Sequence, residues 1–268
     1  GRIKGSLRDT ARRQLGALAV LAESGVPTHW LDPRADTGKS DRDADARDDA
    51  VDNARCALTA LLNASVVQQS ADKGVTIVHR LQGQVLRENW NPEEWVEAFG
   101  AAADVLDRVN TDSLLRSNAE GRRREARDLI DQLRAIAAQG YSRPLFECER
   151  VVAALPHVLL HARDLGLPNE ALALRGAVSA VEEALGEDHP HTLTSRGNLA
   201  GAYQAVGRLD EAILLLEEVV SDSVRVLGDD YPDTLTSRNN LAYAYQSAGR
   251  LDEAILLLEE VVSDSVRV

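Results

Sequence analysis

The segment Gly207-Arg208-Leu209-Asp210-Glu211-Ala212 returns 42 residues later as Gly249-Arg250-Leu251-Asp252-Glu253-Ala254. Further copies at the same offset surround it: residues 211–226 recur unchanged at 253–268, and residues 192–196 recur at 234–238. A period of this length is typical of stacked supersecondary units, each of which buries its apolar face against its neighbours. The last third of the chain is therefore predicted to be a tandem repeat array.

Each repeat unit is predicted to contain two helices. The first, helix A, begins after a proline and ends at Gly249, which has the backbone freedom that a C-terminal cap requires. The second, helix B, begins near Asp252, whose negative charge suits the positive end of a helix. Apolar and small residues recur three or four positions apart, and therefore share one helical face: Leu241, Ala242 and Tyr245 in helix A, and Ala254, Leu258 and Val261 in helix B.

This pattern resembles the tetratricopeptide repeat, in the 42-residue variety of kinesin light chain and many bacterial proteins. The equivalent positions one unit earlier are Leu199, Ala200, Tyr203, Ala212 and Leu216. The resemblance implies an α-solenoid with regular units at 186–227 and 228–268. A degenerate unit is expected at 144–185, because residues 166–171 are similar to residues 207–212; its helices are predicted at about 145–164 and 169–184. The array is expected to belong to a longer repeat protein, of unknown repeat number.

The same resemblance implies a binding surface. In such arrays the helix A residues line a concave groove that holds a protein or peptide partner. The groove positions carried over are Thr236, Asn239, Tyr243 and Gln246, with Thr194 and Gln204 one unit earlier. Asn239 is expected to contact the backbone of a bound peptide, whereas Gly197 occupies its position in the earlier unit and is expected to bind less strongly. The alternative is that these polar side chains only solvate an exposed face.

Residues 1–90 are predicted to form a small domain of a different kind. An amphipathic helix is expected from Arg12 to about Gly25, and a second helix includes residues 57–62. Two strands, 65–69 and 75–80, are joined by a turn at 71–74, and a third helix covers 81–88. The charged run 33–50 has no apolar period and predicts a solvated or disordered acidic loop. Helix, helix, hairpin and helix in this order predict a winged-helix domain.

A winged helix that ends in Val78-His79-Arg80 and precedes tetratricopeptide repeats resembles the NB-ARC branch of the STAND signalling NTPases. In that family, a histidine in a Met-His-Asp motif contacts the bound ADP; here only the histidine is kept, as His79. The resemblance implies an upstream nucleotide-binding domain, with ADP or ATP as cofactor of the full-length protein and none in this chain. Residues 1–13 would end the preceding helical domain. The alternative is that His79 makes an ordinary hydrogen bond at a strand end.

Residues 91–143 are predicted to be bridging helices. Pro92 opens the first one, which has a buried stripe of Trp95, Ala98, Ala102, Val105 and Leu106. A second helix is expected at about 112–138. Its basic residues, Arg122 to Arg124 and Arg127, are interpreted as a solvated face.

Charge argues against a nucleic-acid partner. The chain has a formal net charge of −13, and residues 186–268 contain 6 basic and 15 acidic residues. Such an array repels phosphate backbones. The predicted winged helix offers only Arg55 on its candidate reading helix and Lys73 in its wing.

Several other functional classes are also disfavoured by the sequence. No apolar run is long enough to span a membrane. Gly38-Lys39-Ser40 resembles the end of a phosphate-binding loop, but Pro33 stands where the first glycine of that motif belongs. No catalytic residues and no metal site are predicted. Cys56 and Cys148 are interpreted as reduced, buried thiols of a cytoplasmic protein.

Three functions follow from these patterns. The first is the sensor and interaction arm of a STAND NTPase, in which the repeats bind a partner and the winged helix restrains the ADP-bound state. The second is a stand-alone repeat scaffold or adaptor. The third is a winged-helix transcription regulator.

Overall fold

The computed structural model describes residues 2–21, 23–31, 44–72, 74–108, 119–139 and 143–265. The fold is mainly α-helical, as predicted. The chain divides into two compact units, residues 1–116 with 131–151 and residues 117–130 with 152–268. Among the described residues, no helix is both long and apolar enough to cross a membrane.

The first unit contains helices and three short strands. In chain order its elements are α1 (Arg2–Val20), β1 (Val26–Pro27), a 3-10 helix (Thr28–Leu31), α2 (Ala44–Asn63), β2 (Val67–Gln69), β3 (Val75–Val78), α3 (Arg80–Asn89) and α4 (Pro92–Arg108). Helix α5 (Ala119–Ala137) contributes its last turns, and α6 (Arg143–Phe146) follows. Helix α1 packs against both α2 and α4, which places Leu18, Leu21 and Leu106 in the core.

The strands form an antiparallel sheet in the order β1-β3-β2. Val67 pairs with Val78 in the hairpin, as the sequence predicts, and Val26 pairs with Thr76 on the other edge of β3. Strand β1 is not predicted from the sequence, because two residues ending in proline have no alternating pattern. Apart from β1 and the 3-10 helix, the order of helices and strands matches the prediction. The assignment to the winged-helix fold stays a prediction.

Several predicted boundaries are wrong. Helix α1 begins at Arg2 and not at Arg12. Helix α2 begins at Ala44, so the predicted loop 33–50 is helical over 44–50; the alanines there favour a helix more than the charges disfavour it. The rest of that loop, with Gly38-Lys39-Ser40, lies outside the described residues, as does 109–118 of the bridging segment. Cys56 and Cys148 are free, but Cys56 is exposed and Cys148 half-buried, not buried as predicted.

The second unit is an array of helical hairpins. Its helices are α7 (Glu149–Asp164), α8 (Pro168–Leu172), α9 (Arg175–Leu185), α10 (Pro190–Ala205), α11 (Leu209–Leu227), α12 (Pro232–Ser247) and α13 (Leu251–Ser265), with the first turns of α5. Helices α7, α10 and α12 take the helix A positions of three successive units, and α11 and α13 are helices B. In the degenerate unit, helix B is divided into α8 and α9 at Ala173 and Leu174.

The three hairpin turns share one geometry. Gly166, Gly207 and Gly249 each have φ between +73° and +79°. The amide of the residue after each glycine donates to a helix A carbonyl five residues back, over 2.8 to 2.9 Å, as from Arg208 to Tyr203. This is a Schellman cap, which satisfies carbonyl groups at the helix end. The shared cap supports the assignment of the degenerate unit as a repeat.

Successive units pack through a continuous apolar core. Helix α11 contacts α10 of its own unit and α12 of the next, and α13 contacts α12. A buried cluster joins the two regular units: Ala200, Ile213, Leu216, Leu241 and Ala244, with Tyr245 and Leu257 packed against it. Burying a branched aliphatic side chain of this kind contributes roughly 1.5–3 kcal/mol, so each unit is stabilised largely by its neighbour.

Candidate peptide-binding surface

The predicted groove residues lie on the exposed side of helices α10 and α12, here called the helix A face. Asn239, Tyr243 and Gln246 are exposed on α12, and the Tyr243 side chain has 63% of its surface accessible. Their spacing of four and three residues places them on one side of the helix. Thr236 continues this row toward the start of α12. The structure therefore brings the four predicted α12 residues together.

Thr194 and Thr236 occupy equivalent places in the first turn of the two helices. The Thr194 hydroxyl donates to the Pro190 carbonyl and the Thr236 hydroxyl to the Pro232 carbonyl, each over 2.8 Å. Both side chains are exposed. Since a hydroxyl oxygen has two lone pairs, each can still accept a hydrogen bond from a partner.

Gln204, also predicted to line the groove, makes a contact within the array. Its side-chain amide donates to the Ser247 hydroxyl over 3.1 Å, which links α10 to α12, and the residue is half-buried. Its counterpart Gln246 remains exposed. Gln204 therefore helps to join two units and is less available to a ligand than Gln246 is.

Two glycines make the α10 part of the face flat. Gly197 and Gly201 stand where α12 has Asn239 and Tyr243. A Cβ atom at Gly197 would meet nothing within 4 Å, whereas a Cβ at Gly201 would lie 3.2 Å from the Nη1 atom of Arg163 on α7. Arg163 therefore covers the backbone of α10 at Gly201. The sequence did not predict this contact of Arg163. The glycine at position 201, where α12 has Tyr243, is the signal that could have indicated it.

The contact that Asn198 makes was not predicted from the sequence either. Its side-chain amide donates to the Pro156 carbonyl of α7 over 2.8 Å, so it ties α10 to the degenerate unit. Together with Gln204, it shows that some helix A amides hold the array together, while others face solvent.

Acidic side chains are segregated from the helix A face. Helix α10 has no Asp or Glu, and α12 has only Asp233. Helices α11 and α13 carry five acidic residues each. The surface offered by α10 and α12 is therefore polar but almost uncharged, within an acidic array.

The turns after α10 and α12 are each stabilised by a stacked arginine. The Arg208 guanidinium lies 4.7 Å from the Tyr203 ring centroid, and that of Arg250 lies 4.2 Å from the Tyr245 centroid. Such cation–π contacts contribute about 0.5–1 kcal/mol at exposed sites. Arg208 also donates to Glu211, and this hydrogen bond holds the pKa of the Glu211 carboxyl below its ordinary value.

A second tyrosine contact crosses between units. The Tyr245 hydroxyl donates to a Glu217 carboxylate oxygen on α11 over 2.8 Å. Burial, followed by this hydrogen bond, raises the pKa of Tyr245 to about 12. Glu217 lies 3.8 Å from the Arg250 guanidinium as well, so one carboxylate holds both groups of the following unit.

Buried arginines fix the A helices of the two regular units. Arg196 pairs with Glu218 over 2.7 Å and with Asp222 over 3.0 Å, which ties α10 to α11. Arg238 occupies the equivalent position and pairs with Asp229 in the turn before α12 over 2.5 Å. Because these guanidinium groups are buried and paired, they position the helix A face rather than offering charge to a ligand.

His79 lies exposed at the N-terminus of α3. Its Nδ1 atom accepts a hydrogen bond from the Leu81 amide over 3.3 Å, the ordinary contact that the sequence left as an alternative. Because Nδ1 accepts, the neutral ring carries its proton on Nε2. Elsewhere in the described part of the chain, no group of three His, Cys, Asp or Glu side chains could hold a metal ion.

The repeated hairpins, their shared caps and the continuous core between units define the second unit as a helical-repeat interaction module. Residues 159–222 match a tetratricopeptide repeat family model, and residues 234–268 match a second one. Two Arabidopsis thaliana proteins are similar over short segments: KINESIN LIGHT CHAIN-RELATED 3 is 58% identical over 40 residues, and KINESIN LIGHT CHAIN-RELATED 2 is 51% identical over 53 residues. These segments cover 15% and 19% of this chain, and only 6% and 8% of those relatives.

Two solved structures are also similar. The kinesin light chain nearly identical TPR-like repeats of Podosopora anserina are 28% identical, with a TM-score of 0.45 over 69% of this chain and 82% of that one. BtubC (BKLC) from P. vanneervenii is 16% identical, with a TM-score of 0.45 over 84% of this chain and 83% of that one. Residues 159–222 and 234–268 therefore match tetratricopeptide repeat models, and short segments of the chain are similar to kinesin-light-chain-related proteins.

Proposed function

We propose that the repeat array binds a peptide segment of a partner protein on the helix A face. The observation that carries this proposal is the exposed row of Thr236, Asn239, Tyr243 and Gln246 on one side of α12. Tetratricopeptide repeats generally bind protein partners and are typically not enzymes, and the proposed function has no catalytic step.

The chemistry of this row suits an extended backbone. An asparagine side chain offers both a carbonyl acceptor and an amide donor, so Asn239 can pair with the N–H and the C=O of one residue in an extended peptide. Tyr243 supplies a rigid aromatic surface beside it, a residue type enriched at interfaces. Because acidic side chains are almost absent from α10 and α12, the partner is held by hydrogen bonds and aromatic contact more than by charge.

The three units contribute unequally in this proposal. The unit at 186–227 has Gly197 in place of asparagine and uses Gln204 to join α12. The unit at 228–268 therefore supplies the principal contacts. Arg163 of the degenerate unit, which lies over Gly201, is paired with Asp164.

A selection experiment tests this assignment. Peptides selected from a displayed library of random 12-residue sequences against the chain should lose about tenfold or more in affinity with Asn239→Ala, since a bidentate amide contact at about 1.4 kcal/mol or more would be lost. Gly197→Asn, which meets open space, should raise affinity by copying the contact in the earlier unit. Affinity is measured by fluorescence polarisation.

Asn169→Ala is the matched control, because Asn169 is an exposed asparagine on α8, away from the helix A positions. The proposal is wrong if selected peptides bind Asn239→Ala and Asn169→Ala as tightly as the unchanged chain, or if their binding site maps to helices α11 and α13.

For residues 1–90, we propose the regulatory role that the resemblance to STAND NTPases suggests. In this role, the first unit follows an upstream nucleotide-binding domain and restrains its ADP-bound state, and the repeats sense the partner. The position of His79 supports it: the ring is exposed at a helix N-terminus, and its Nε2–H can donate to a phosphate oxygen. A stand-alone scaffold, with the same helix A face, agrees equally well with the repeat array.

The His79 role is tested in a full-length protein that contains such a domain. His79→Ala should lower ADP retention, measured as the dissociation rate of a fluorescent ADP analogue, because one phosphate donor is lost. His29→Ala is the control for loss of an imidazole in the same unit. Equal dissociation rates for the unchanged protein and His79→Ala would favour the scaffold function.

A further inference from the structure

A small cavity lies between helices α9, α10 and α11, inside the array. Its volume is about 290 Å³, close to the lower limit of roughly 300 Å³ for ligand pockets, so it accommodates one or two side chains rather than a large ligand. Val178, Leu199 and Leu214 form an apolar wall, and polar side chains complete the lining. None of the lining residues belongs to the helix A face.

The matching place one unit later is occupied by a carboxylate of the chain itself. Glu217 of α11 accepts from the Tyr245 hydroxyl over 2.8 Å and lies 3.8 Å from the Arg250 guanidinium. The same guanidinium stacks on the Tyr245 ring. One carboxylate therefore binds a hydroxyl and a cation that are held together by stacking.

In the cavity, Arg175 takes the place of this carboxylate. It lies 42 residues before Glu217 in the sequence. The ends of the two helices confirm this register, because α9 and α11 both end at a glycine with positive φ, Gly186 at +91° and Gly228 at +97°. The exchange puts a cation where the next unit has an anion.

The exchange leaves donors without a carboxylate. Tyr203 lines the cavity with only 8% of its surface accessible. Within the described part of the chain, its hydroxyl has no hydrogen-bond partner and Arg175 has no ion pair. Arg208 stacks on the Tyr203 ring at 4.7 Å, as Arg250 does on Tyr245. A largely buried hydroxyl without an acceptor is unfavourable, and guanidinium groups beside it favour an anion.

Glu182 adds an opposite charge to the same cavity. The other two carboxylates of the lining, Glu211 and Glu218, are paired with arginines of the chain. Glu182 has no ion pair among the described residues. It follows Arg175 by seven residues on α9, which places the two about 10 Å apart along the helix axis. The cavity therefore offers a cation and an anion on either side of an apolar wall.

From this arrangement we infer that the cavity binds an acidic side chain of a partner protein. The bound carboxylate takes the place that Glu217 has in the next unit: it accepts from the Tyr203 hydroxyl and pairs with Arg175 and Arg208. A basic side chain about three residues away in an extended partner segment reaches Glu182. Because Glu182 repels a polyanion, a segment with both charges fits the cavity better than a phosphate does.

The probe is a displayed library of 12-residue peptides with one glutamate and one lysine fixed three residues apart, in either order. The chain used carries Asn239→Ala and Tyr243→Ala, so the contacts proposed for the helix A face do not contribute. We expect peptides to be enriched. Replacing the fixed glutamate by glutamine should weaken their binding about tenfold or more in fluorescence polarisation, the loss expected for hydrogen bonds to a charged group.

Three variants of the chain locate the site. Arg175→Glu supplies an internal carboxylate, as in the next unit, and should abolish binding. Arg124→Glu is the matched control, because it makes the same charge change at an exposed arginine outside the cavity. Tyr203→Phe should weaken binding about tenfold and leave the thermal unfolding temperature unchanged, because the hydroxyl makes no hydrogen bond within the described part of the chain.

Three results would overturn the inference. The first is a library from which no peptide is enriched. The second is equal affinity of selected peptides for the chains with and without Arg175→Glu. The third is displacement of a selected peptide by an equal concentration of inorganic phosphate, because the cavity would then serve a free anion.

Discussion

At the scale of single residues, Gly25 is the position where the first unit tolerates least change. Its φ of +103° lies in the region that favours glycine, and its carbonyl accepts a hydrogen bond from the buried Gln132 side chain over 2.7 Å. A Cβ atom there would lie 2.4 Å from Val75 and 2.6 Å from Ile77 side-chain atoms. The glycine therefore lets the chain after α1 approach β3 closely.

Gly25→Ala is expected to destabilise the first unit by about 2–4 kcal/mol, from the overpacking together with the unfavourable φ. Urea unfolding followed by tryptophan fluorescence measures this, since all three tryptophans are in residues 30–95. Gly100→Ala is the control: it lies exposed within α4, a Cβ there meets nothing, and stability should rise by about 0.5–1 kcal/mol. Equal effects of both substitutions would contradict the role of Gly25.

Some residues of the candidate site could be predicted from the sequence, and others could not. Asn239, Tyr243 and Gln246 were predicted together from the resemblance to tetratricopeptide repeats, and helical spacing, a local property, places them on one side of α12. Arg163 was not, because its contact with Gly201 joins two units and no spacing within one helix encodes it. The Gln204–Ser247 hydrogen bond was missed for the same reason: whether an amide faces solvent or a neighbouring unit depends on packing.

At the scale of elements, the contact between α11 and α12 should depend on pH through Tyr245. Its pKa is about 12 in the fold, above the ordinary value near 10. Below pH 10, the hydroxyl is protonated in both states and its contribution is complete. Between about pH 10 and 12, the unfolded chain releases the proton first, so the free energy of unfolding falls as pH rises.

Tyr245→Phe should remove the fall in the free energy of unfolding that this hydroxyl causes at alkaline pH, because phenylalanine has no proton to release. The check is urea unfolding of both chains at intervals from pH 9 to 12. Tyr243→Phe serves as control, since Tyr243 lies exposed on the helix A face. If Tyr245→Phe and Tyr243→Phe change the pH dependence alike, the contact with Glu217 is not its source.

Helices and strands were predicted from the sequence where their residue pattern is long. They were not predicted where that pattern is short. The repeated helices follow from duplicated segments and their glycine caps. Strand β1 has two residues, too few for periodicity, and it is held by pairing with β3 from 50 residues later. The break between α8 and α9 has neither glycine nor proline at 173 and 174, so no local signal marks it.

At the scale of the whole molecule, the sequence predicted a winged-helix domain, a bridging segment and a repeat array, and the structure has two compact units. The predicted bridging segment 91–143 does not form a body of its own: α4 packs on α1 in the first unit, and α5 contributes to both units. Bridging helices have the same amphipathic pattern as core helices, so composition alone cannot assign them to one unit or another.

The separation of the acidic helices α11 and α13 from the nearly uncharged helices α10 and α12 has an evolutionary consequence. Stacking and hydration depend on one set of positions, whereas the proposed ligand contact depends on another, such as 197, 239 and 243. Substitutions in the second set leave the first set intact. The difference between Gly197 in one unit and Asn239 at the equivalent position of the next is an example. Duplicated units can therefore diverge in what they recognise without a corresponding loss of folding or colloidal stability.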